Sequence, residues 1–293
     1  MASASFQGTK INPTRFHRSQ LPFFMFLVPF SMLMLLPILF IFNHAFKPRS
    51  ELFAYPPRFF VRNPTFDNFN ELSRLVSASG VPFSRYLVNS LLVTIIGVTL
   101  AIFITAFSAY ALSKLKFKGK KLLFEINTLA LMFVPIAVQI PRYLIIARSG
   151  LIDTYAAHIL PVIVMPVAMF LIKQFIDQTP NEIIESAKID GASEMQIFMK
   201  IVLPVIAPAI ATVGILAFQI IWNDVSTSVL YINDESKRTL AFYMQSLTSI
   251  QGNTVAGQGM AAAASLIMFV PNLILFIFLQ GKVMNTMAHS GIK

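Results

Sequence analysis

Apolar residues run along the chain in long blocks that are separated by short polar gaps. A helix needs about 20 mostly apolar residues to cross a bilayer. We expect six such blocks to form transmembrane helices, over about 22–42, 86–112, 122–141, 152–176, 205–226 and 260–281. The pattern therefore predicts an all-α membrane protein, with a six-span domain over 22–281 between an N-terminal segment 1–21 and a C-terminal tail 282–293.

The composition agrees with lipid as the solvent for most of the surface. Hydrophobic residues make up 56% of the 293 residues and charged residues only 12%, whereas soluble domains carry about 25% charged residues. The chain has no cysteine, which excludes disulfides, zinc sites built on cysteine and thiol catalysis.

The net charge of +10 falls mainly in the gaps between the apolar blocks. That distribution favours contact with anionic lipid headgroups over binding of nucleic acid, which needs a basic face on a soluble surface. The densest basic gap is Ser113 to Lys121, "SKLKFKGKK", with five lysines and no acid. The positive-inside rule places this gap in the cytoplasm. Both termini and segment 177–204 then lie in the cytoplasm as well, and two sizeable loops, about 43–85 and 227–259, lie outside.

Segment 177–204 differs from the blocks around it because it is charged and amphipathic. Thr179 can cap a helix that has Pro180 at its first position, and Glu182 completes a capping box. Gly191 tolerates the left-handed conformation that ends many helices, so we expect this helix to run to Asp190.

Ser193 and Gln196 form a second capping box, which predicts a second short helix before Pro204. The segment is thus predicted to be helix, glycine turn, helix. From periodicity alone it is either an amphipathic connector that rests on the membrane or a docking element for a cytoplasmic partner.

The spacing of Glu185-Ser186-Ala187, Gly191 and Ile201-x-Leu203-Pro204 resembles the "EAA…G…I-LP" loop of ABC importer permeases. The one departure is Ser186, where the family usually has alanine. Much of the remaining chain is similar to the maltose-type permease subunits of the carbohydrate-import branch. The similar stretches include "FAYPPRFFVRNPTFDNF", "AYALSKLKFKGKKLLF", "MAAAASLIMFVPNLILFIFLQ" and the terminal "SGIK".

The resemblance implies the fold of a type I ABC importer permease in the bacterial inner membrane. It implies partners: a second permease subunit, two ATPase subunits and an extracytoplasmic solute-binding protein. ATP and magnesium would bind in the ATPase subunits and no cofactor in this chain, which has no G-x-x-x-x-G-K-[ST] phosphate loop. The residues that the resemblance assigns to ATPase coupling are Glu182, Glu185, Ser186, Ala187, Asp190, Gly191, Ala192, Ile201, Leu203 and Pro204.

Four polar residues within or beside the spans are candidates for the substrate pathway. Arg142 stands after Pro141, where family members usually have an apolar residue. It either reaches the outer interface or offers a bidentate partner for a carboxylate, which together with the basic outer loops favours an acidic saccharide such as an alginate-type uronate oligomer. Asn89 either ties helices together or binds ligand, and Asn223 and Asp224 end the fifth block. A neutral oligosaccharide or another solute is the alternative cargo.

Two other classes of function fit less well. A membrane-embedded enzyme needs paired carboxylates, a metal-ligand cluster or an activated nucleophile at membrane depth. The four histidines are scattered over the chain, at His17, His44, His158 and His289, and no H-E-x-x-H motif occurs. A passive channel or a scaffold leaves the two capped helices of segment 177–204 without a purpose.

Overall fold

The computed structural model describes residues 21–78, 80–251 and 254–290, and over these ranges the chain is helical with no β-strand. The helices are α1 Leu21–Phe46, α2 Arg49–Leu52, α3 Asp67–Ala78, α4 Phe83–Lys114, α5 Lys120–Ala130, α6 Gln139–Arg148, α7 Tyr155–Ile163, α8 Pro166–Asp177, α9 Asn181–Ile189, α10 Glu194–Ile197, α11 Leu203–Val205, α12 Ala207–Trp222, α13 Ser226–Tyr231, α14 Leu240–Gln251 and α15 Val255–Ser290. A π-helix, Phe198–Val202, joins α10 to α11, and a 3₁₀ turn, Glu235–Lys237, precedes α14.

In the described part of the chain, three helices are long and apolar enough to cross a membrane: α1, α4 and the Gly257–Gly281 part of α15. Two bent pairs raise the number to five if each is one broken span. The pair α7 and α8 bends by 47°, and the segment Glu194–Val205 meets α12 at 80°. The predicted count of six spans is therefore not confirmed.

The predicted span 122–141 is not one helix. Helix α5 ends at Ala130 and α6 begins only at Gln139, with turns between them. Pro135 lies in that interval. Proline has no N–H to donate and disfavours the helical conformation of the residue before it. The apolar composition of 122–141 suits a span although its helix is interrupted between Ala130 and Gln139.

The predicted outer loop 227–259 is largely helical, which corrects its assignment as a loop. Helix α14 buries Leu240, Tyr243 and Met244 against Tyr86 and Trp222. The spacing i, i+3, i+4 of these three residues is the signal of an amphipathic helix, and charged and glycine-rich flanks mask it in the sequence. The other outer loop, 43–85, contains α2 and α3.

Helix α4 lies at the centre of the bundle and packs against α7, α8 and α12. Small residues let helices approach closely where little hydrophobic driving force is available. Ala106 and Ala109 on α4 are buried in the largest core cluster, and Ala45, Ala262 and Ala263 form the contact between α1 and α15.

The two ends of α4 hold different segments of the chain. At its C-terminal end, Lys114 Nζ donates to the carbonyl of Thr179 at 2.6 Å and to Asn181 Oδ1 at 2.8 Å. Near its N-terminal end, Asn89 Nδ2 donates to the carbonyl of Ser236 at 2.8 Å. Segments 113–121 and 177–204 therefore share one end of the bundle, here called the Lys114 end, and segments 43–85 and 227–259 share the opposite end.

Candidate functional site

Helix α9 begins one residue later than the sequence predicts. Pro180 occupies the N-cap position in an extended conformation, and no side chain caps the helix. The Thr179 hydroxyl is buried without a hydrogen-bond partner among the described residues. The predicted capping box of Thr179 and Glu182 is thus wrong. Lys114 binds the Thr179 carbonyl and the Asn181 side chain, which fixes the start of α9 to α4.

The glycine turn after α9 is as predicted, and the helix ends at Ile189, one residue before the predicted Asp190. Gly191 has φ of +82°, a left-handed conformation that favours glycine. The amide of Ala192 donates to the carbonyl of Ala187 at 2.9 Å, and the amide of Gly191 donates to the carbonyl of Lys188 at 3.1 Å. These two bonds are the Schellman motif, which satisfies the last carbonyls of a helix. They set a sharp turn between α9 and α10.

The second capping box is confirmed. Ser193 Oγ accepts from the amide of Gln196 at 3.3 Å, and the Gln196 side chain accepts from the amide of Ser193 at 2.8 Å. The end of α9 and the start of α10 are therefore both capped, and the turn between them is closed by main-chain bonds.

Besides Lys114, a carboxylate of the helix pair joins it to the bundle. Glu194 Oε2 accepts from the Tyr110 hydroxyl of α4 at 2.7 Å, and Oε1 binds Lys188 Nζ of α9 at 2.6 Å. We call these three residues the Glu194 junction. It connects α9, α10 and the C-terminal part of α4 through hydrogen bonds that involve a charged group, which are the strongest kind in proteins.

Apolar packing supports the same connection. Ile197, Phe198 and Val202 of α10 and the π-helix are buried in the core cluster that contains Tyr110. The Phe198 ring stacks on Phe107 of α4 with ring centroids 4.5 Å apart. The helix pair and α4 are thus one packed unit.

The residues that the resemblance assigns to ATPase coupling divide into two groups. Ala187, Ala192, Ile201 and Leu203 pack against the core cluster. The exposed members are Glu182, Glu185, Ser186, Asp190, Gly191 and Pro204. Beside the exposed carboxylates lie large apolar side chains, of which Ile189 is 87% exposed and Met195 57%. We call this mixed surface the α9–α10 face. Exposed apolar side chains on a charged segment outside the unbroken candidate spans suit an interaction surface.

Asn89, a predicted pathway residue, is fully buried and engaged by the protein. Its Nδ2 donates to the carbonyls of Ser236 and Arg238, at 2.8 and 2.9 Å, and its Oδ1 accepts from the Tyr155 hydroxyl at 2.8 Å. The geometry is that of a tie between α4, α7 and the 3₁₀ turn. A role for Asn89 in the pathway stays a prediction.

The other three predicted pathway residues do not lie in one site. Asp224 Oδ2 accepts from the amide and the hydroxyl of Thr227, so it is held by the first turn of α13. Arg142 is half-buried in α6 and lines a cavity of about 450 Å³. Asn223 is exposed at the end of α12 and lines a different cavity. The structure therefore separates Arg142 from Asn223.

An ionic cluster at the end opposite Lys114 was not predicted. Asp153 Oδ2 binds Lys237 Nζ at 2.9 Å, and Asp153 Oδ1 accepts from the amide of Asp234 at 3.0 Å. The bond from the Asp234 amide, followed by the one from Lys237, lowers the pKa of Asp153, and Asp153 raises the pKa of Lys237. No sequence signal marks this pair, because more than 80 residues separate its members.

Comparison with known proteins connects this geometry to a family. The family model described as "Binding-protein-dependent transport system inner membrane component" matches residues 14–281. The chain is 33% identical to Protein LplC of Bacillus subtilis (strain 168), over 88% of this chain and 89% of that protein. It is 29% identical to the trehalose transport system permease protein SugB of Mycobacterium tuberculosis (strain CDC 1551 / Oshkosh), over 88% of this chain and 92% of that protein.

A solved structure has the same fold. It is a bacterial ABC transporter involved in the import of the acidic polysaccharide alginate, and one of its chains superposes with a TM-score of 0.77. The match covers 92% of this chain and 99% of that chain at 21% sequence identity. The described helices thus have the arrangement of an ABC importer subunit.

Proposed function

Since the chain belongs to the family of binding-protein-dependent transport system inner membrane components, we propose that it forms half of the path through which an ABC importer moves oligosaccharides. A second permease subunit forms the other half. Two ATPase subunits, which hold ATP and magnesium, drive the transport, and a solute-binding protein delivers the cargo from outside. This chain carries no ATPase site of its own.

The observation that supports this proposal most directly is the α9–α10 face with the junction behind it. The face presents Glu182, Glu185 and the exposed Ile189, which suits a partner that offers both basic and apolar groups. Behind the face, Glu194 connects the pair to α4. A partner that closes on ATP can therefore rock the bundle as a rigid body, which is how transporters alternate access to a central site.

The proposed orientation places the Lys114 end in the cytoplasm, with both termini on that side. Five lysines between Ser113 and Lys121 support it, because short cytoplasmic loops carry an excess of basic residues. The ATPase subunits then meet the α9–α10 face in the compartment that contains ATP. The cluster around Asp153 and Lys237 would face the solute-binding protein.

The proposed cargo class is an oligosaccharide. A relative is a trehalose transport permease, and the structural neighbour belongs to an importer of an acidic polysaccharide. The proteins similar to this chain are thus named for both neutral and acidic sugars. For an acidic cargo we propose Arg142 as the residue that binds a carboxylate, because its guanidinium lies at a cavity and can make two parallel hydrogen bonds.

Substitution of Gly191 tests the coupling role. Proline cannot adopt φ of +82°, because its ring holds φ near −65°, so Gly191→Pro should break the turn and abolish ATP-driven uptake while the protein still inserts into the membrane. Asparagine tolerates the left-handed conformation, so Gly191→Asn is the matched control and should retain most uptake. Equal uptake by wild type and Gly191→Pro would refute the coupling role. So would a wild-type protein that purifies without any ATPase subunit.

Uptake of matched neutral and uronate oligosaccharides tests the acidic cargo. We expect Arg142→Gln to reduce uptake of the uronate oligomer about tenfold or more, as loss of a hydrogen-bonded charge implies, and to leave the neutral oligomer within twofold. Arg142→Lys keeps the charge but not the planar fork, so its effect should be intermediate. Equal effects on both sugars would remove the proposed role of Arg142.

A further inference from the structure

A cavity of about 710 Å³ opens at the Lys114 end of the bundle, between the C-terminal parts of α4 and α8 and the start of α5. Helix α4 has 32 residues, so it is about 48 Å long, close to the thickness of a bilayer with its headgroups. Leu112 lies two residues before the last residue of α4, and Lys173 lies four residues before the last residue of α8. The cavity is therefore at the level of the lipid headgroups.

Positive charge predominates on the wall of this cavity. Three lysines and one carboxylate line it, namely Lys120, Lys121, Lys173 and Glu125. Lys120 Nζ donates to the carbonyls of Ser113 and Leu115, at 2.8 and 3.2 Å. Carbonyl groups carry no net charge, so these two bonds hold the ammonium group in place without neutralising it.

The acids nearby cancel only part of the charge. Lys173 Nζ binds Asp177 Oδ2 at 2.7 Å and lies 4.5 Å from the centroid of the Phe124 ring. Lys121 Nζ is 3.8 Å from Glu125 Oε1, and both of these side chains are mostly exposed, so their pairing contributes little. Two carboxylates thus stand against three lysines, and the cavity keeps a net positive charge.

The remaining side chains on the wall are apolar, namely Leu112, Phe117, Leu122 and Phe124. Leu122 begins a stripe of exposed apolar residues that continues with Ile126 and Leu129, at a spacing that places all three on one face of α5. Asn127 of α5 donates to the carbonyl of Pro166 at the start of α8, so α5 runs antiparallel to α8. The stripe therefore leads from the cavity towards the middle of the bundle.

The charged cavity and the apolar stripe together select a class of ligand. Lysine is a common partner of phosphate groups, and lysines beside a membrane span attract anionic lipids. A soluble phosphate compound would satisfy the lysines but leave the stripe uncovered. A zwitterionic lipid would cover the stripe but bring no net negative charge to the lysines. An anionic phospholipid does both.

We propose that this cavity binds one anionic phospholipid, such as phosphatidylglycerol. Lys120 and Lys121 hold its phosphate group, and one acyl chain lies along the stripe of Leu122, Ile126 and Leu129. The bound lipid fills the space between the end of α4, the start of α5 and the end of α8.

A defined site differs from the general attraction of anionic headgroups to the basic segment 113–121. Lys116 and Lys118 belong to that segment and are exposed, but they do not line the cavity. The site is also independent of the proposed cargo path, because it shares no lining residue with the cavity of Arg142.

The test titrates dioleoylphosphatidylglycerol into the complete transporter after delipidation in detergent. Native mass spectrometry then counts the lipid molecules that stay on this subunit when it is released from the complex. We expect Lys121→Gln to weaken binding of the tightest lipid about fivefold, the factor that one lysine near a membrane surface contributes. Lys121→Arg keeps the charge and should bind like wild type. Dioleoylphosphatidylcholine should bind about tenfold more weakly or worse, because it offers no net charge to the lysines.

The matched controls are Lys116→Gln and Lys118→Gln. Each removes the same charge from the same basic segment, at an exposed lysine outside the cavity. A general attraction of the segment for anionic lipid would fall by the same factor in all three glutamine variants. A defined site should lose affinity only in Lys121→Gln.

Equal weakening in Lys116→Gln and Lys121→Gln overturns the site, and so does an unchanged affinity in Lys121→Gln. Displacement of the lipid by a large excess of soluble glycerol phosphate also overturns it, because the cavity would then bind phosphate without a membrane anchor. Loss of the second permease subunit from purified Lys121→Gln would show instead that the cavity is a contact between subunits.

Discussion

The Glu194 junction makes a prediction about the efficiency of coupling. Tyr110→Phe removes only the hydroxyl that donates to Glu194 Oε2 at 2.7 Å. The ring remains in the core, where Tyr110 is 4% exposed, so packing against Phe198 should be unchanged. The substitution thus isolates the hydrogen bond between α4 and α10 from the apolar contact that accompanies it.

The expected magnitude follows from the exposure of the two bonds. A hydrogen bond to a charged group contributes about 1.5–3 kcal/mol. The side chain of Glu194 is 47% exposed and can recruit water after the loss, so we expect the lower end of this range, about 1.5 kcal/mol. The side chains of Lys188 and Glu194 are 44% and 47% exposed, and a surface ion pair of this kind contributes about 0–1 kcal/mol.

The measurement is the amount of sugar imported per ATP hydrolysed by the complete transporter in proteoliposomes. We expect Tyr110→Phe to lower this ratio roughly tenfold, which is what about 1.4 kcal/mol corresponds to, and Lys188→Ala to change it less than about fivefold. In a double-mutant cycle, Tyr110→Phe should have no further effect in a Glu194→Ala background. A wild-type ratio in Tyr110→Phe, or a larger loss in Lys188→Ala, would show that the junction does not transmit the motion.

Two further predictions concern stability and pH. A Cβ on Gly259 would lie 2.5 Å from Oδ1 of the buried Asn68. In thermal unfolding, Gly259→Ala should therefore destabilise the protein by about 1–3 kcal/mol. Gly281→Ala is the control and should not destabilise it, because no atom lies within 4 Å of a Cβ built at Gly281. The pKa of Asp153 is lowered from its usual value of 3.8, so charged Asp153 stabilises the folded segment 233–237 above that pH. The pKa of Lys237 is raised from 10.5, so charged Lys237 stabilises the same segment below that pH. Hydrogen-exchange protection of residues 233–237 should thus be constant between these limits and fall on acidification below 3.8, and Asp153→Asn should lower it at neutral pH.

The length of the apolar blocks predicts the long helices well. The blocks 22–42, 86–112 and 260–281 lie within α1, α4 and α15. Hydropathy averaged over a window cannot detect the interruption after Ala130, because the residues in the gap are as apolar as those of a span. The bend between α7 and α8 escapes the same criterion, because the two helices are apolar enough to count as one span. Pro166 does not reveal the bend either, since proline suits the first turn of a helix.

The helix pair of the α9–α10 face is the best-predicted part of the candidate site. Its turn and its second cap depend on local residue types, Gly191 and Ser193 with Gln196, which a sequence displays directly. The predicted Thr179 cap is wrong because α9 begins one residue later, with Pro180 at the N-cap, while Lys114, 65 residues earlier in the chain, holds the Thr179 carbonyl. Partners so far apart in the chain are set by tertiary packing, and no local pattern shows them.

The π-helix Phe198–Val202 has a consequence for how this region can vary. A π turn holds one residue more than an α turn, and each α-helical residue advances about 100° around the axis. Because this turn absorbs the extra residue, deletion of a single residue within Phe198–Val202 would restore ordinary helix and leave the direction of Ser193–Ile197 relative to α12 nearly unchanged. Deletion of a residue within the regular helix α12 would instead rotate the parts on its two sides against each other by about 100°. The π turn is thus the place where this region can lose one residue and keep Glu194 directed at Tyr110.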